Sequence, residues 1–252
     1  MNYVRQNAFN SIPPVVKNLL ILNGLFFLAT FVLSQKGIDL ANLLGLHYFK
    51  SDLFQPYQII SHMFMHGSIM HILFNMYALW MFGKVLEQVW GPKRFLIYYM
   101  ATGLGAAFLQ IMVTHFQIVS LVAEMPQDKI AYVLEHGAQI IAQNQGNYVD
   151  PQMGELNALY NGATIGASGA VFGLLLAFGM IFPNVELMLM FIPIPIKAKY
   201  FVMGYGLIEL FSGVANRAGD NTAHFAHLGG MIFGFLLIKY WNSKGYGNYK
   251  QF

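Results

Sequence analysis

Cysteine is absent from the 252-residue chain, which excludes disulfides and thiolate metal sites. Charge is scarce too. Asp, Glu, Lys and Arg make up 10% of the residues, where a soluble domain carries about a quarter. The net charge is only +3 and there is no basic run, so the sequence offers no footprint for nucleic acid. The opening residues MNYVRQNAFNSIPP lack the charge, apolar core and small-residue cleavage site of a signal peptide. The first apolar segment is therefore expected to remain as a membrane span. No internal repeat or low-complexity tract occurs, which predicts one domain over 1–252.

What is present is apolar. Hydrophobic residues form 56% of the chain and mean hydropathy is +0.50, as in a polytopic membrane protein. Six runs are long enough to cross a bilayer: Asn18–Ser34, Ser68–Val85, Phe95–Val119, Gly162–Phe182, Lys199–Val214 and Thr222–Trp241. They do not alternate as barrel strands would, so the predicted fold is an all-α membrane bundle of six transmembrane helices. With both termini inside, Arg5, Lys17, Lys84, Lys93, Arg94, Lys197, Lys199, Lys239, Lys244 and Lys250 lie inside. Only Lys36, Lys50, Lys129 and Arg217 lie outside. That bias selects the N-in, C-in orientation. The chain shows no organelle-targeting feature, so the expected location is a bacterial plasma membrane.

Two connections stand out. Residues 35–67 carry Leu44, Leu46, Tyr48, Phe49, Phe54 and Tyr57 and read as an interfacial first loop. Residues 120–161 form an outer insertion between helices 3 and 4. Its Ile130, Val133, Leu134, Ile140 and Ile141 predict a short amphipathic helix on the outer leaflet, interrupted at Gly137. The N-terminal segment 1–17 and the tail 242–252 are expected on the inner side.

Ionisable groups within a membrane are costly and point to function. In span four Ser168 lies six residues from the outer end, roughly 9 Å deep at helical rise. In span six His227 lies at nearly the same level, and span two brings His71 and Asn75 there on one helix face. A lone Ser in an apolar helix usually bonds a carbonyl one turn back. The matched depth of His227 and the surrounding GASGA favour a nucleophile instead. Gly166 and Gly169 beside Ser168, and Gly230 after His227, allow the close helix approach that a Ser–His hydrogen bond needs.

The stretches GASGAVFG at 166–173, AHLGGMIFG at 226–234 and HMFMHGSIMHILFN at 62–75, with LEQVWG at 86–91, closely resemble the rhomboid intramembrane serine proteases. The resemblance implies Ser168 as nucleophile and His227 as its general base. It implies an oxyanion site of the Ser168 backbone N–H and the side chains of His71 and Asn75. It also implies a dyad without an acid, transmembrane protein substrates within the lipid bilayer, and no cofactor. Phe172 stands where the family often has a Tyr that stacks on the catalytic His. In the first loop Tyr57-Gln58 stands where many members have Trp-Arg, which removes an Arg tether. By analogy with the family, span five and the segment Ser212–Asn221 are expected to gate and cap the site.

The rival readings are weaker. His224 is three residues from His227 and is expected at the cavity mouth. His62, His66 and His71 read as a hydrogen-bonded network under the first loop rather than a metal site, since no carboxylate at matching depth completes three ligands. Glu209 in span five reads as a neutral structural acid. The alternative function is a catalytically silent rhomboid-like protein that binds membrane clients, but such relatives generally lack the Ser or the His. A transporter would need midplane carboxylates and repeats, and only Glu209 is present.

Overall fold

The computed structural model describes residues 12–143, 146–189, 192–215 and 223–245. Arg5, Arg217, Lys250 and the part of the expected cap at 216–221 lie outside them. Eleven α-helices and one hairpin follow in chain order: α1 Pro14–Ser34, α2 Leu40–Leu44, α3 Gln58–Ser61, α4 Ile69–Ala78, α5 Lys84–Trp90, α6 Pro92–Ala123, α7 Gln127–Ala142, α8 Pro151–Asn161, α9 Ser168–Ile181, β1 Glu186–Leu189, β2 Ile192–Lys197, α10 Ala198–Ala215 and α11 His224–Ser243. A π-helical turn, Leu79–Gly83, joins α4 to α5 in one rod, Ile69–Trp90. Among the described residues three rods, Pro14–Ser34, Ile69–Trp90 and Pro92–Ala123, are long and apolar enough to cross a membrane. Helix α9 is apolar but shorter.

Helix α9 is the central element, packed against α6, α10 and α11 and the rod of α4. Small residues set the contacts. A Cβ on Gly230 would overlap the carbonyl oxygen of Gly169, and one on Gly229 would come within 2.9 Å of the Ala106 Cα. On α9, Gly173 faces Thr102 of α6, and the Tyr98 hydroxyl donates to the Gly173 carbonyl at 2.9 Å. Helix α1 starts at Pro14 with its first amides capped from a distance. The Glu87 carboxylate of LEQVWG accepts from Val15 N–H at 3.0 Å and Val16 N–H at 2.8 Å. A helix N-terminus leaves such donors unpaired and favours an anion.

The fourth predicted span is corrected. Residues 162–167 are not helical, and α9 begins at Ser168 itself. The backbone is used elsewhere: Thr164 and Leu46 exchange two bonds of 2.8 Å, and Gly166 N–H donates to the His62 carbonyl at 2.9 Å. Gly166 also has φ +132°, a conformation open to glycine. The first loop therefore holds the approach to Ser168. Gln58 ties this loop together: it is buried, accepts from Gln55 N–H at 3.0 Å and donates to the Leu53 carbonyl at 2.9 Å.

The outer insertion is corrected as well. Helix α6 continues to Ala123, and α7 runs unbroken through Gly137. Gly137 is a contact, not a break, because a Cβ there would strike Asn157 and Asn161 of α8. Val133 and Leu156 of this helix pair form a small core with Tyr48, Ile118 and Met125, so the insertion is docked on the first loop. The β1–β2 hairpin, paired Glu186 with Lys197 and Leu187 with Ile196, was not foreseen from the sequence.

Gly230→Ala should lower the thermal midpoint of the detergent-solubilised protein, at a cost of about 1–3 kcal/mol for overpacking. Gly204→Ala, with nothing within 4 Å of the added carbon, should not. Equal midpoints for the two variants would refute the close α9–α11 contact.

Candidate active site

Ser168 is the first residue of α9 and His227 lies in the first turn of α11. The Gly169–Gly230 approach sets the two helices face to face, and Ser168 Oγ is 2.9 Å from His227 Nε2. Phe172, one turn along α9, stacks on the His227 ring with centroids 4.1 Å apart and planes 6° apart. The ring expected over the histidine is therefore in place without a hydroxyl.

His71 and Asn75 approach from α4. The Ser68 hydroxyl caps that helix by accepting from His71 N–H at 3.1 Å. Gly67 N–H donates to His71 Nδ1 at 3.4 Å, which leaves the ring proton on Nε2. A carbon added to Gly166 would lie 2.9 Å from His71 Nε2 and 3.4 Å from Ser168 Oγ. One point in space is thus flanked by a hydroxyl oxygen and an N–H donor. Asn75 is buried and gives one amide hydrogen to the His71 carbonyl at 3.0 Å, which fixes its side chain toward the same cavity. As the start of a helix, Ser168 has a backbone N–H without an intrahelical acceptor.

These groups open on a cavity of about 1050 Å³, lined among others by His71, Asn75, Ser168, Phe172, Phe201 and His227. Wide, mostly apolar pockets with a few convergent polar groups are the usual form of a substrate site. His62 and His66 lie outside it, beneath the first loop. His62 Nδ1 bonds the Gln58 carbonyl at 2.9 Å, and His66 packs its ring on His71 at 4.9 Å.

One residue falls where the sequence reading did not put it. Glu209 of α10 is buried, and its Oε2 is 2.9 Å from His227 Nδ1 and 2.6 Å from His224 Nδ1. His224 is thereby tied to the site rather than left at its mouth. The family resemblance implied a dyad without an acid, and here a carboxylate stands beside His227. The ligand atoms of Glu209, His224 and His227 lie within 4.8 Å of one another, a grouping able to hold a metal ion. Here, however, one oxygen already stands at hydrogen-bond length from both imidazoles.

The Rhomboid domain family matches residues 53–125 and 129–243. The chain is 28% identical over 221 residues to RHOMBOID-like protein 12, mitochondrial, of Arabidopsis thaliana, covering 86% of this chain and 55% of that protein. It is 25% identical over 184 residues to Rhomboid protein 1, mitochondrial, of Saccharomyces cerevisiae, covering 71% and 40%. It is also 25% identical over 182 residues to the Presenilin-associated rhomboid-like protein, mitochondrial, of Bos taurus, covering 70% and 36%. The chain spans about half or less of the length of these relatives.

Gly166→Ala should slow the reaction of Ser168 with a fluorophosphonate by at least about tenfold, because the added carbon is strained at this φ and presses on His71 Nε2. A labelling rate equal to wild type would show that the space beside Gly166 is not where the electrophile sits.

Proposed function

The chain belongs to the rhomboid family of integral membrane proteins, and from that premise we propose that it is an intramembrane serine endopeptidase. In this reading it is a single peptidase domain of six membrane spans. It hydrolyses a peptide bond in or near the transmembrane helices of membrane-protein substrates. The observation that carries the proposal is the 2.9 Å contact of Ser168 Oγ with His227 Nε2 at the wall of a large cavity.

The chemistry runs on groups already in place. Ser168 gives its proton to His227 Nε2 as Oγ attacks the scissile carbonyl carbon. Negative charge grows on the carbonyl oxygen, which the Ser168 N–H, His71 Nε2–H and the free amide hydrogen of Asn75 are suited to receive. Collapse expels the amine, which takes the proton back from Nε2 and leaves an acyl ester on Ser168. Water, deprotonated by the same imidazole, then attacks the ester, and the carboxylate product leaves as Oγ regains its proton. A helical substrate must unwind locally, since its backbone amides are otherwise bonded and shielded. Helix α10 lies along this route: Phe201 and Tyr205 wall the cavity with rings 5.5 Å apart, and Tyr205 meets Phe172 at 5.4 Å.

A silent client-binding protein would use the same cavity without a nucleophile. The retained Ser168–His227 bond favours the protease.

Ser168→Ala and His227→Ala should each abolish cleavage of a transmembrane substrate while leaving the detergent-soluble fold intact. Wild type should be labelled by a fluorophosphonate and Ser168→Ala should not. Equal labelling of both would remove the nucleophile assignment. Phe201→Ala should raise turnover severalfold if the α10 aromatics restrict entry, and unchanged turnover would refute that role.

A further inference from the structure

We propose that Glu209 is the positioning acid of His227, so that the site works as a Ser–His–Glu triad rather than the acid-free dyad implied by the family resemblance. This inference rests on the protease reading and adds a residue to it.

The argument is geometric. His227 has two ring nitrogens and one neighbour on each: Glu209 Oε2 at 2.9 Å from Nδ1 and Ser168 Oγ at 2.9 Å from Nε2. A carboxylate has no hydrogen to give, so the Nδ1 proton must point to it. The Nε2 lone pair is then directed at the serine hydroxyl, which donates along the line of the proton transfer. With no acceptor at Nδ1 the ring could place its proton on Nε2 instead, and that tautomer cannot take the serine proton. The face of the ring is held by Phe172, but stacking does not choose a tautomer. Glu209 does. As Nε2 gains a proton, the growing imidazolium charge also lies beside an anion in buried surroundings, where the interaction is strong.

The placement is specific. Glu209 is 5% exposed, and on the described part of α10 it is the lone acidic residue. Its neighbours along the helix, Leu207, Ile208, Leu210 and Phe211, are exposed in the face that lipid would cover. A buried carboxylate among such residues is costly unless it is bonded. Its Oε2 bonds two histidines at the start of α11, with His224 Nδ1 at 2.6 Å holding the same oxygen from the other side. His224 thus locks the carboxylate, and the carboxylate orients the base.

The test uses the full chain in detergent and a fluorophosphonate, with the inactivation constants kinact and KI measured separately. Glu209→Gln keeps size and packing and removes the acceptor-only carboxylate. It should lower kinact about 100-fold, a smaller loss than the roughly 10⁴-fold seen when the acid of a soluble triad is neutralised, with KI and thermal midpoint unchanged. Glu209→Ala should be slow too, and added formate should restore at least about tenfold of its rate by occupying the vacated acceptor position. A kinact for Glu209→Gln within threefold of wild type would overturn the proposal. So would a parallel rise in KI and fall in midpoint without formate rescue, which would mark Glu209 as structural. Loss of wild-type reactivity on chelation would assign the carboxylate to a metal instead and overturn it as well. The controls separate the two levels of inference: labelled wild type with unlabelled Ser168→Ala upholds the protease reading whatever Glu209 does. Unlabelled wild type defeats that reading itself.

Discussion

The structure depends on how closely α9 and α11 approach. Gly230 meets the backbone of Gly169 with no room for a side chain between them, and α6 closes the third side through Ala106. Within a bilayer, helices gain nothing by hiding apolar surface from lipid that is equally apolar. Tight backbone contact and polar bonds across it must hold them. The same contact spaces two first-turn side chains at hydrogen-bond distance. Helix packing and the Ser168–His227 contact therefore depend on one interface, and a methyl group in that interface would disturb both.

The non-helical approach to Ser168 is bonded to the first loop. Thr164 exchanges two backbone bonds with Leu46, and Gly166 N–H donates to the His62 carbonyl. That loop is in turn tied to the outer helices: His47 has its two ring nitrogens 2.8 Å from the carbonyls of Asn161 and Asn42, and Ser51 donates to Asn161 at 2.7 Å. The outer insertion and the first loop thus form a platform that sets where α9 begins. Because the helix begins at Ser168, its backbone N–H lies beside its hydroxyl without an intrahelical acceptor, at the positive end of the helix dipole.

Among the described residues, the two buried carboxylates follow one rule. Glu87 lies at the N-terminus of α1 and accepts from two amides. Glu209 accepts from two histidines. Neither is exposed, and each has donors that repay its desolvation. One acid fastens the first span, and the other sits on the helix whose aromatic residues wall the cavity. The two acids use the same device at different places in the fold.

The sequence by itself determined the class of protein and which polar residues of three spans come together. Scarce charge and long apolar runs require a membrane bundle. The Ser168, His227, His71 and Asn75 positions stand out because polar residues in such runs are expensive, and glycines beside them permit contact. The helix carrying Glu209 was legible, but its buried face was not. In a lipid-facing helix both faces are apolar, so periodicity does not reveal which one turns inward. The sequence also made Ser168 part of a longer helix, because hydrophobicity does not record where a backbone finds other partners. Only the tertiary structure decided those two things: bonds to Leu46 and His62 start α9 at its serine, and the packing of α10 on α11 turns a carboxylate onto His227.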